Sequence, residues 1–408
     1  MKYCKKCVNP ENVYEMNDFD ENGVCGMCRN WKNYDEVFAA EQKNKEKRFI
    51  EILERYRSKD GSNYDMIIPV SGGKDSLYQV HLLKKVYGFN PLLVTFNHTF
   101  NTKTGIYNMT NMVEKLGVDH IRFTPNPQLI SKTSRLSLKK FGDICWHCHC
   151  GIFTFPLRIA VAFKIPLLIS EHKYYGLLSA DEENKFQPNL KDRLFAVRAE
   201  AKDMVDKELG IELKDLVQWQ MPSQEEIDKV GVRGLSIAEY IKWDSKVITE
   251  FLIKEYGFKT KEHDRTYDCY ANAECHHCSG THDYLRYLKS GYGRVTDDVG
   301  IDIRKGLMTR EEGIKMVEKF DGVKPKDLDI YLKRVNMTEE EFMKYMEDKR
   351  EESVWFKDSD GQWQIKDSVS RHKNDQGVEK VISPLSRVDS YKRISNPLDD
   401  EIEKHIIM

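Results

Sequence analysis

The stretch that most constrains this chain is residues 65–76, DMIIPVSGGKDS, in which a short apolar run leads directly into two glycines, a lysine, an aspartate and a serine. An apolar run of this length has the form of a buried strand, and the amphipathic residues 77–87 that follow read as a helix. Adjacent glycines let a turn bring its backbone close to a ligand. The N–H groups that open a helix, with the positive end of its dipole, attract an anion. Phosphate is the natural occupant of such a loop. Gly72 and Gly73 form the cradle, Lys74 adds a cation, Ser71 and Ser76 add hydroxyls, and Asp75 offers an oxygen to a divalent ion bridging phosphates. The pattern is neither GxxxxGK[ST] nor GxGxxG, so ordinary P-loop kinases and dinucleotide-dependent dehydrogenases lose support.

The cysteines form the second constraint. Cys4 and Cys7 make one CxxC pair and Cys25 and Cys28 another, at the paired-knuckle spacing of a four-thiolate structural zinc site. Residues 1–33 hold too few apolar side chains to fold without such a staple, and read as a zinc ribbon followed by a charged linker helix over 34–60. Further on, Cys145, Cys148 and Cys150 stand in CWHCHC with His147 and His149, and Cys275 and Cys278 stand in ECHHC with His276 and His277. Cys145 and Cys148 with Cys275 and Cys278 suggest a second zinc site, in which the histidines are alternative ligands. An iron–sulfur cluster on three cysteines is the rival. Cys150 and Cys269 read as small buried apolar residues.

The chain has 408 residues, enough for two or three domains, and its 64 basic and 66 acidic side chains nearly cancel. A net charge of −2 without a Lys/Arg-rich tract argues against a nucleic-acid partner. No run approaches the roughly 18–20 apolar residues of a membrane crossing, and the first residues lack the apolar core of a signal peptide. A cytoplasmic protein with no membrane contact is expected.

Strands at 92–96, 121–124 and 165–170, with a helix at 105–116, extend the opening strand into an α/β, doubly wound parallel sheet, the domain spanning 61–180. Ligands bind such sheets at the carboxyl ends of the strands, where Asn97 and His98 follow one strand and Glu171 and His172 another. Residues 181–350 read as a mainly helical substrate or partner region, with a helix at 197–209 and capping boxes at Ser223/Glu226, Thr309/Glu312 and Thr338/Glu341. Within it, Tyr240, Trp243 and Asp244 either face a sugar or pack in the core. Arg294, Asp297, Asp302 and Arg304 either bind an anionic substrate or tie a loop down by ion pairs. Residues 351–408 form a tail with no readable mechanism.

SGGKDS after a buried strand resembles the signature of the PP-loop ATP pyrophosphatases. That resemblance implies a doubly wound α/β domain of adenine nucleotide alpha hydrolase-like type that splits ATP into AMP and pyrophosphate. It also implies ATP contacts from Ser71, Gly72, Gly73, Lys74, Asp75, Ser76, Asn97 and Glu171, with Lys74 and Asp75 catalytic and Mg2+ on Asp75. The N-terminal CxxC pairs, SGGKDS, CWHC, VGVRG, YIKWD and the GYGR, DIR and MTREEG run together resemble the N-acetyl sugar amidotransferases of bacterial surface-glycan biosynthesis, over residues 1–350. That family converts an N-acetyl group into an acetamidino group, with ammonia from a glutaminase subunit passed through a cyclase-like barrel. Both partners are similar to the halves of imidazole glycerol phosphate synthase. Here Ser170-Glu171-His172 stands where many relatives carry a Gly-Glu pair. A tRNA-thiolating PP-loop enzyme and a non-catalytic subunit of a glycan-synthesis complex are the alternatives, and a nucleotide-linked sugar and a free nonulosonic acid both fit as substrate.

Overall fold

The computed structural model describes residues 1–13, 18–171, 177–182, 197–375 and 392–394, without side chains at 32–37 and 39. It divides into two compact units, one drawn from residues 1–40 and 260–394, the other from 41–259. Helix α1, Gly26–Tyr56, contains the boundary and opens inside the second CxxC pair rather than at residue 34. The knuckle starts it: the Cys28 N–H donates to the Cys25 carbonyl at 3.0 Å and the Arg29 N–H to the same oxygen at 3.1 Å.

The second unit is built on a five-stranded parallel sheet of order β3-β2-β1-β4-β5. Its strands are β1 Met66–Pro69, β2 Pro91–Phe96, β3 Asp119–Phe123, β4 Leu167–Ser170 and β5 Arg233–Ser236. Connections run through α2 Lys74–Val80, which widens into a π-helical turn His81–Val86, then α3 Lys103–Leu116, α4 Pro127–Phe141 and α5 Trp146–Phe163. The expected strands are all present: β1, β2 and β4 are apolar runs that the sheet buries on both faces, and β3, more polar and only partly buried, pairs along β2 at the edge. On one face Met66 and Ile68 of β1 and Leu167 and Ile169 of β4 join Phe49 and Ile52 of α1 in a single core. On the other, Phe96 of β2 packs on Phe155 of α5 and on Trp219.

Two expectations need correcting. The sheet does not end at residue 180: β5 pairs with β4 from Leu167↔Arg233 to Ser170↔Ser236, so this unit runs to residue 259. Residues 197–209 are not a helix but a short 3-10 turn, Ala201–Met204, closed by reciprocal bonds between Glu200 and Asp203, after which Asp206 pairs with Ile211 around Gly210. Among the described residues the unit also holds α6 Gln224–Val230, under the expected Ser223/Glu226 capping box, and α7 Ser245–Tyr256.

The first unit joins the N-terminal cysteine segment to α8 Thr281–Ser290, α9 Arg294–Arg304, α10 Arg310–Phe320, α11 Asp327–Val335 and α12 Glu339–Met346. The described part of the expected tail belongs to it. Strands β6 Trp355–Lys357 and β7 Trp363–Ile365 form an antiparallel hairpin, anchored by the Trp355 indole N–H on the Lys289 carbonyl at 3.1 Å. Among the described residues no single helix is long and apolar enough to cross a membrane. The pair α4–α5 is long and apolar enough only when taken together, across a 116° bend.

Helix α5 lies close to β2 because Gly151 faces Phe96: a Cβ there would stand 2.3 Å from the Phe96 ring. Gly151→Ala should therefore cost about 1–3 kcal/mol by overpacking, read as a lowered denaturant midpoint at unchanged zinc content.

Candidate nucleotide site and cysteine centre

In a parallel sheet whose strands progress β1, β2, β3 to one side and β4, β5 to the other, the chain reverses direction between β1 and β4. That leaves a crevice at their carboxyl ends. The loop of residues 71–76 leaves β1 at that place, and Glu171 leaves β4 there. The loop is held by its own hydroxyls: the Ser71 N–H donates to Ser76 Oγ at 3.0 Å, the two serine oxygens lie 3.2 Å apart, and the Gly73 N–H donates to Ser71 Oγ at 3.3 Å. Gly73 is the N-cap of α2 and provides no side-chain cap, so the first-turn N–H groups point toward any anion above the loop.

Gly72 is required by both conformation and space. Its φ is +89°, and a Cβ would lie 2.5 Å from the Gly105 carbonyl oxygen. Thr102 caps α3 by accepting the Gly105 N–H at 2.9 Å, which fixes that carbonyl in place.

Lys74 is buried and its Nζ lies 2.6 Å from Asp75 Oδ2. The other Asp75 oxygen accepts the Trp243 indole N–H at 2.9 Å. Trp243 thus turns its polar edge to the loop rather than serving only as core packing, and Asp244 is the N-cap of α7, accepting the Lys246 and Val247 N–H groups at 3.0 and 3.2 Å. Tyr240 donates its hydroxyl to Asp181 Oδ2 at 2.5 Å.

Asn97 follows β2 and is buried. Its side chain donates to Thr124 Oγ1 at 2.9 Å and its Oδ1 accepts the Thr99 N–H at 2.9 Å, shaping a turn in which Thr99 takes φ +65°. His98 Nδ1 accepts the Phe100 N–H at 3.1 Å. Beyond Thr124 a cleft of about 360 Å³ opens, lined by polar residues including Asn126, Gln128, Lys132 and Asp215. The Glu171 carbonyl accepts the Ser236 hydroxyl at 2.9 Å, so β5, unread in the sequence, sets the chain leaving β4. His172 lies outside the described residues.

In the other unit, the sulfurs of Cys4, Cys7, Cys25 and Cys28 are buried and lie within 4.8 Å of one another. Cys7 Sγ and Cys25 Sγ are 3.8 Å apart. Four thiolates bound tetrahedrally at about 2.3 Å from zinc would stand about 3.8 Å from each other, so the set fits the ion. The Cys7 and Cys25 N–H groups both donate to Cys4 Sγ at 3.4 Å, and hydrogen bonds from the neighbouring thiols hold the Cys4 thiol well below its usual range. Sequence reasoning missed the group that clamps this centre. Arg310, buried at the start of α10, donates Nε to the Cys4 carbonyl at 3.1 Å and the Cys7 carbonyl at 3.0 Å, and Nη1 to the His372 carbonyl at 2.9 Å. Its signals were its place inside the MTREEG run and beside the Thr309/Glu312 capping box, which is present.

The remaining candidates divide between the units. Cys145 precedes α5 and Cys148 lies in its first turn, whereas Cys275 and Cys278 belong to the first unit. Cys278 Sγ is 3.1 Å from Asn272 Oδ1, and burial raises its thiol. Cys150 and Cys269 are buried as expected, their sulfurs meeting the carbonyls of Trp219 and Lys392, each at 3.4 Å. Arg294, Asp302 and Arg304 are not brought together as one anion site. Arg294 and Arg304 occupy opposite ends of α9, about 15 Å apart at 1.5 Å per residue. Asp302 accepts the Tyr267 hydroxyl at 2.8 Å, Arg304 lies over the Trp31 ring at 5.7 Å, and Asp297 pairs with Arg286 at 2.8 Å. The Asp297–Arg286 ion pair joins the start of α9 to α8 beside this loop. At its centre the fully buried Arg265 pairs with Asp283 at 2.9 Å, and burial pushes the nearby Asp321 carboxyl up to about 7.

Residues 245–369 match the family described as LPS biosynthesis protein WbpG-like, C-terminal domain. That segment contains the GYGR, DIR and MTREEG motifs that carried the surface-glycan resemblance. An uncharacterized protein of Methanocaldococcus jannaschii is 30% identical over 116 residues, 28% of this chain and 40% of that protein. The chain thus spans well under half the length of the curated relative it matches. Among solved structures, NMN synthetase from Francisella tularensis aligns with 47% of this chain and 92% of its own at 15% identity, with a TM-score of 0.26. A predicted tRNA methyltransferase subunit from Methanocaldococcus jannaschii aligns with 64% and 97% at 12% identity, with a TM-score of 0.25. The fold stands on this chain's own strand order and loop: a doubly wound parallel sheet of PP-loop type, a four-cysteine N-terminal ribbon and a mainly helical C-terminal region.

Gly72→Ala should weaken ATP binding at least tenfold, measured by calorimetry, and should also lower the thermal midpoint, because a buried turn must shift to admit the Cβ. Cys7→Ser should lower the bound zinc by one equivalent in elemental analysis and destabilise the first unit, since binding of a structural zinc is coupled to folding.

Proposed function

We propose that this protein is an ATP-dependent, AMP-forming amidotransferase that converts the N-acetyl group of a bacterial surface-glycan sugar into an acetamidino group. The observation that carries the reading is the loop of residues 71–76 at the reversal of a parallel sheet, with Lys74 and Asp75 at its mouth. The WbpG-like match over residues 245–369 supports the setting in lipopolysaccharide O-antigen synthesis, a cytoplasmic one for a nucleotide-dependent step.

An acetamide carbon is a weak electrophile. Its oxygen attacks the α-phosphorus of ATP, the bond to the β-phosphate oxygen breaks, pyrophosphate leaves and the amide N–H proton is lost, giving an O-adenylyl imidate. Ammonia then adds to the imidate carbon, the C–O bond breaks, and AMP departs with that oxygen, leaving the amidine. No side-chain nucleophile is needed. The N–H groups of the loop, already aimed by α2, and the Lys74 ammonium, once it exchanges Asp75 for phosphate, hold the leaving pyrophosphate and offset its growing charge. Asp75 would hold Mg2+, which supplies Lewis-acid polarisation of the phosphate oxygens when bound. Asn97 and Glu171, at the ends of β2 and β4, are the residues assigned to the rest of the nucleotide.

The zinc at Cys4, Cys7, Cys25 and Cys28 is structural in this reading. With the cysteines paired in CxxC turns or buried, ammonia comes from a separate glutaminase subunit and a cyclase-like barrel, similar to the halves of imidazole glycerol phosphate synthase.

The test supplies the full chain with ATP, Mg2+, ammonium salt and a panel of N-acetylated sugars, both nucleotide-linked and free. One sugar should trigger release of AMP and pyrophosphate and gain the mass change of O exchanged for NH, and Lys74→Ala should slow this about a hundredfold or more. Absence of sugar-dependent pyrophosphate, together with sulfur transfer to tRNA by an iron-loaded sample, would overturn the proposal in favour of a thiolating enzyme.

A further inference from the structure

We infer that Trp243 is a positioning residue for the nucleotide site, its indole N–H setting the Asp75 carboxylate in the orientation from which it serves a divalent ion. The inference rests on the ATP reading above and assigns a role to a side chain that the sequence left between sugar contact and core packing.

Asp75 makes two contacts, one per oxygen: Oδ1 accepts from Trp243 Nε1 at 2.9 Å and Oδ2 meets Lys74 Nζ at 2.6 Å. The carboxylate is a quarter exposed, enough for water to compete for it and for several rotamers to be open without a fixed donor. Lys74 cannot be that donor during turnover, because its charge is wanted by phosphate. Trp243 can, since a neutral N–H fixes one oxygen while leaving the negative charge for the metal. The indole is itself held. Tyr78 meets it edge-on, ring centres 5.2 Å apart at 72°. Tyr78 lies three residues after Asp75 on α2, so carboxylate and ring share one helix face. From the other side, Asp244 caps α7 and pins the backbone one residue beyond Trp243. Ile248 and Leu252 of α7 lie in the same core as Leu77 and Val80 of α2. The donor therefore sits immediately before the N-cap of a helix that shares the core of α2, and is fixed relative to the loop by that packing rather than by the loop's own turn. Tryptophan suits the task because its N–H is a donor only and carries no charge at any pH of interest.

The test is calorimetric binding of a non-hydrolysable ATP analogue to the full chain at increasing Mg2+, for wild type, Trp243→Phe, Asp75→Asn and the double variant. Removing a hydrogen bond to a charged group is worth about tenfold. The Mg2+ concentration for half-maximal binding should rise about tenfold in Trp243→Phe, with affinity in EDTA unchanged. The same substitution should have no further effect in the Asp75→Asn background. Incorporating the benzothiophene isostere of tryptophan at position 243 keeps the shape and deletes the N–H, and should reproduce the shift at unchanged thermal midpoint. An unchanged Mg2+ requirement in either variant, or an equal loss with and without Asp75, would overturn the inference and leave Trp243 as packing. If wild type binds no analogue at any Mg2+ concentration, the ATP reading itself falls, and the role inferred for Trp243 falls with it.

Discussion

The nucleotide site depends on β1 lying in the middle of a parallel sheet whose strand order reverses beside it. A strand in that position is buried on both faces, which is why residues 66–69 are almost wholly apolar, and its carboxyl end opens into the only crevice that sheet geometry guarantees. Everything at the loop follows from this placement. The chain must turn at once into a helix, Gly72 must pass under the Gly105 carbonyl, and the turn must be stitched by the serines that flank it. Lys74 and Asp75 then stand in the first turn of α2 as neighbours of opposite charge, close enough to pair.

The other unit is organised by a different constraint. Its N-terminal segment is too small to hold a core of its own, and four thiols packed within a few ångströms of one another make sense only as a metal cage. The cage is tied to the helices of its unit by one buried guanidinium. Arg310 spends its fixed fork of donors on backbone carbonyls of the first knuckle and on the His372 carbonyl, so α10 and the chain near residue 372 are ordered by the same side chain. The neighbouring charges of α8 and α9 form a buried ion-pair network around Arg265 and Asp283 rather than an open anion site.

What was legible in the sequence is local. The apolar runs of β1, β2 and β4, the glycine loop and the CxxC spacings each state their structure within a dozen residues. β5 was not legible: RGLS is short and contains a glycine, and it becomes a strand only because β4 offers it an edge. The helix expected after residue 197 failed for a related reason, since an acidic pair that caps the chain early outweighs a weak apolar period. The partners of Asp75 and of the cysteine carbonyls were illegible because Trp243 and Arg310 lie far along the chain from them, and no spacing rule reaches that far. Among the candidate site residues, those at strand ends were chosen by topology, whereas Arg294, Asp302 and Arg304 were chosen by composition, and composition does not distinguish a ligand contact from an internal contact.

The central claim is that ATP activates the amide oxygen itself, and that atom can be followed. The substrate sugar, labelled with 18O in its N-acetyl carbonyl, would be turned over in unlabelled water with ATP and ammonia, and the AMP analysed by mass spectrometry. The account predicts one 18O in the AMP phosphate for each amidine formed and none in pyrophosphate. Amidine formed with unlabelled AMP, the 18O appearing in water or in pyrophosphate, would contradict it.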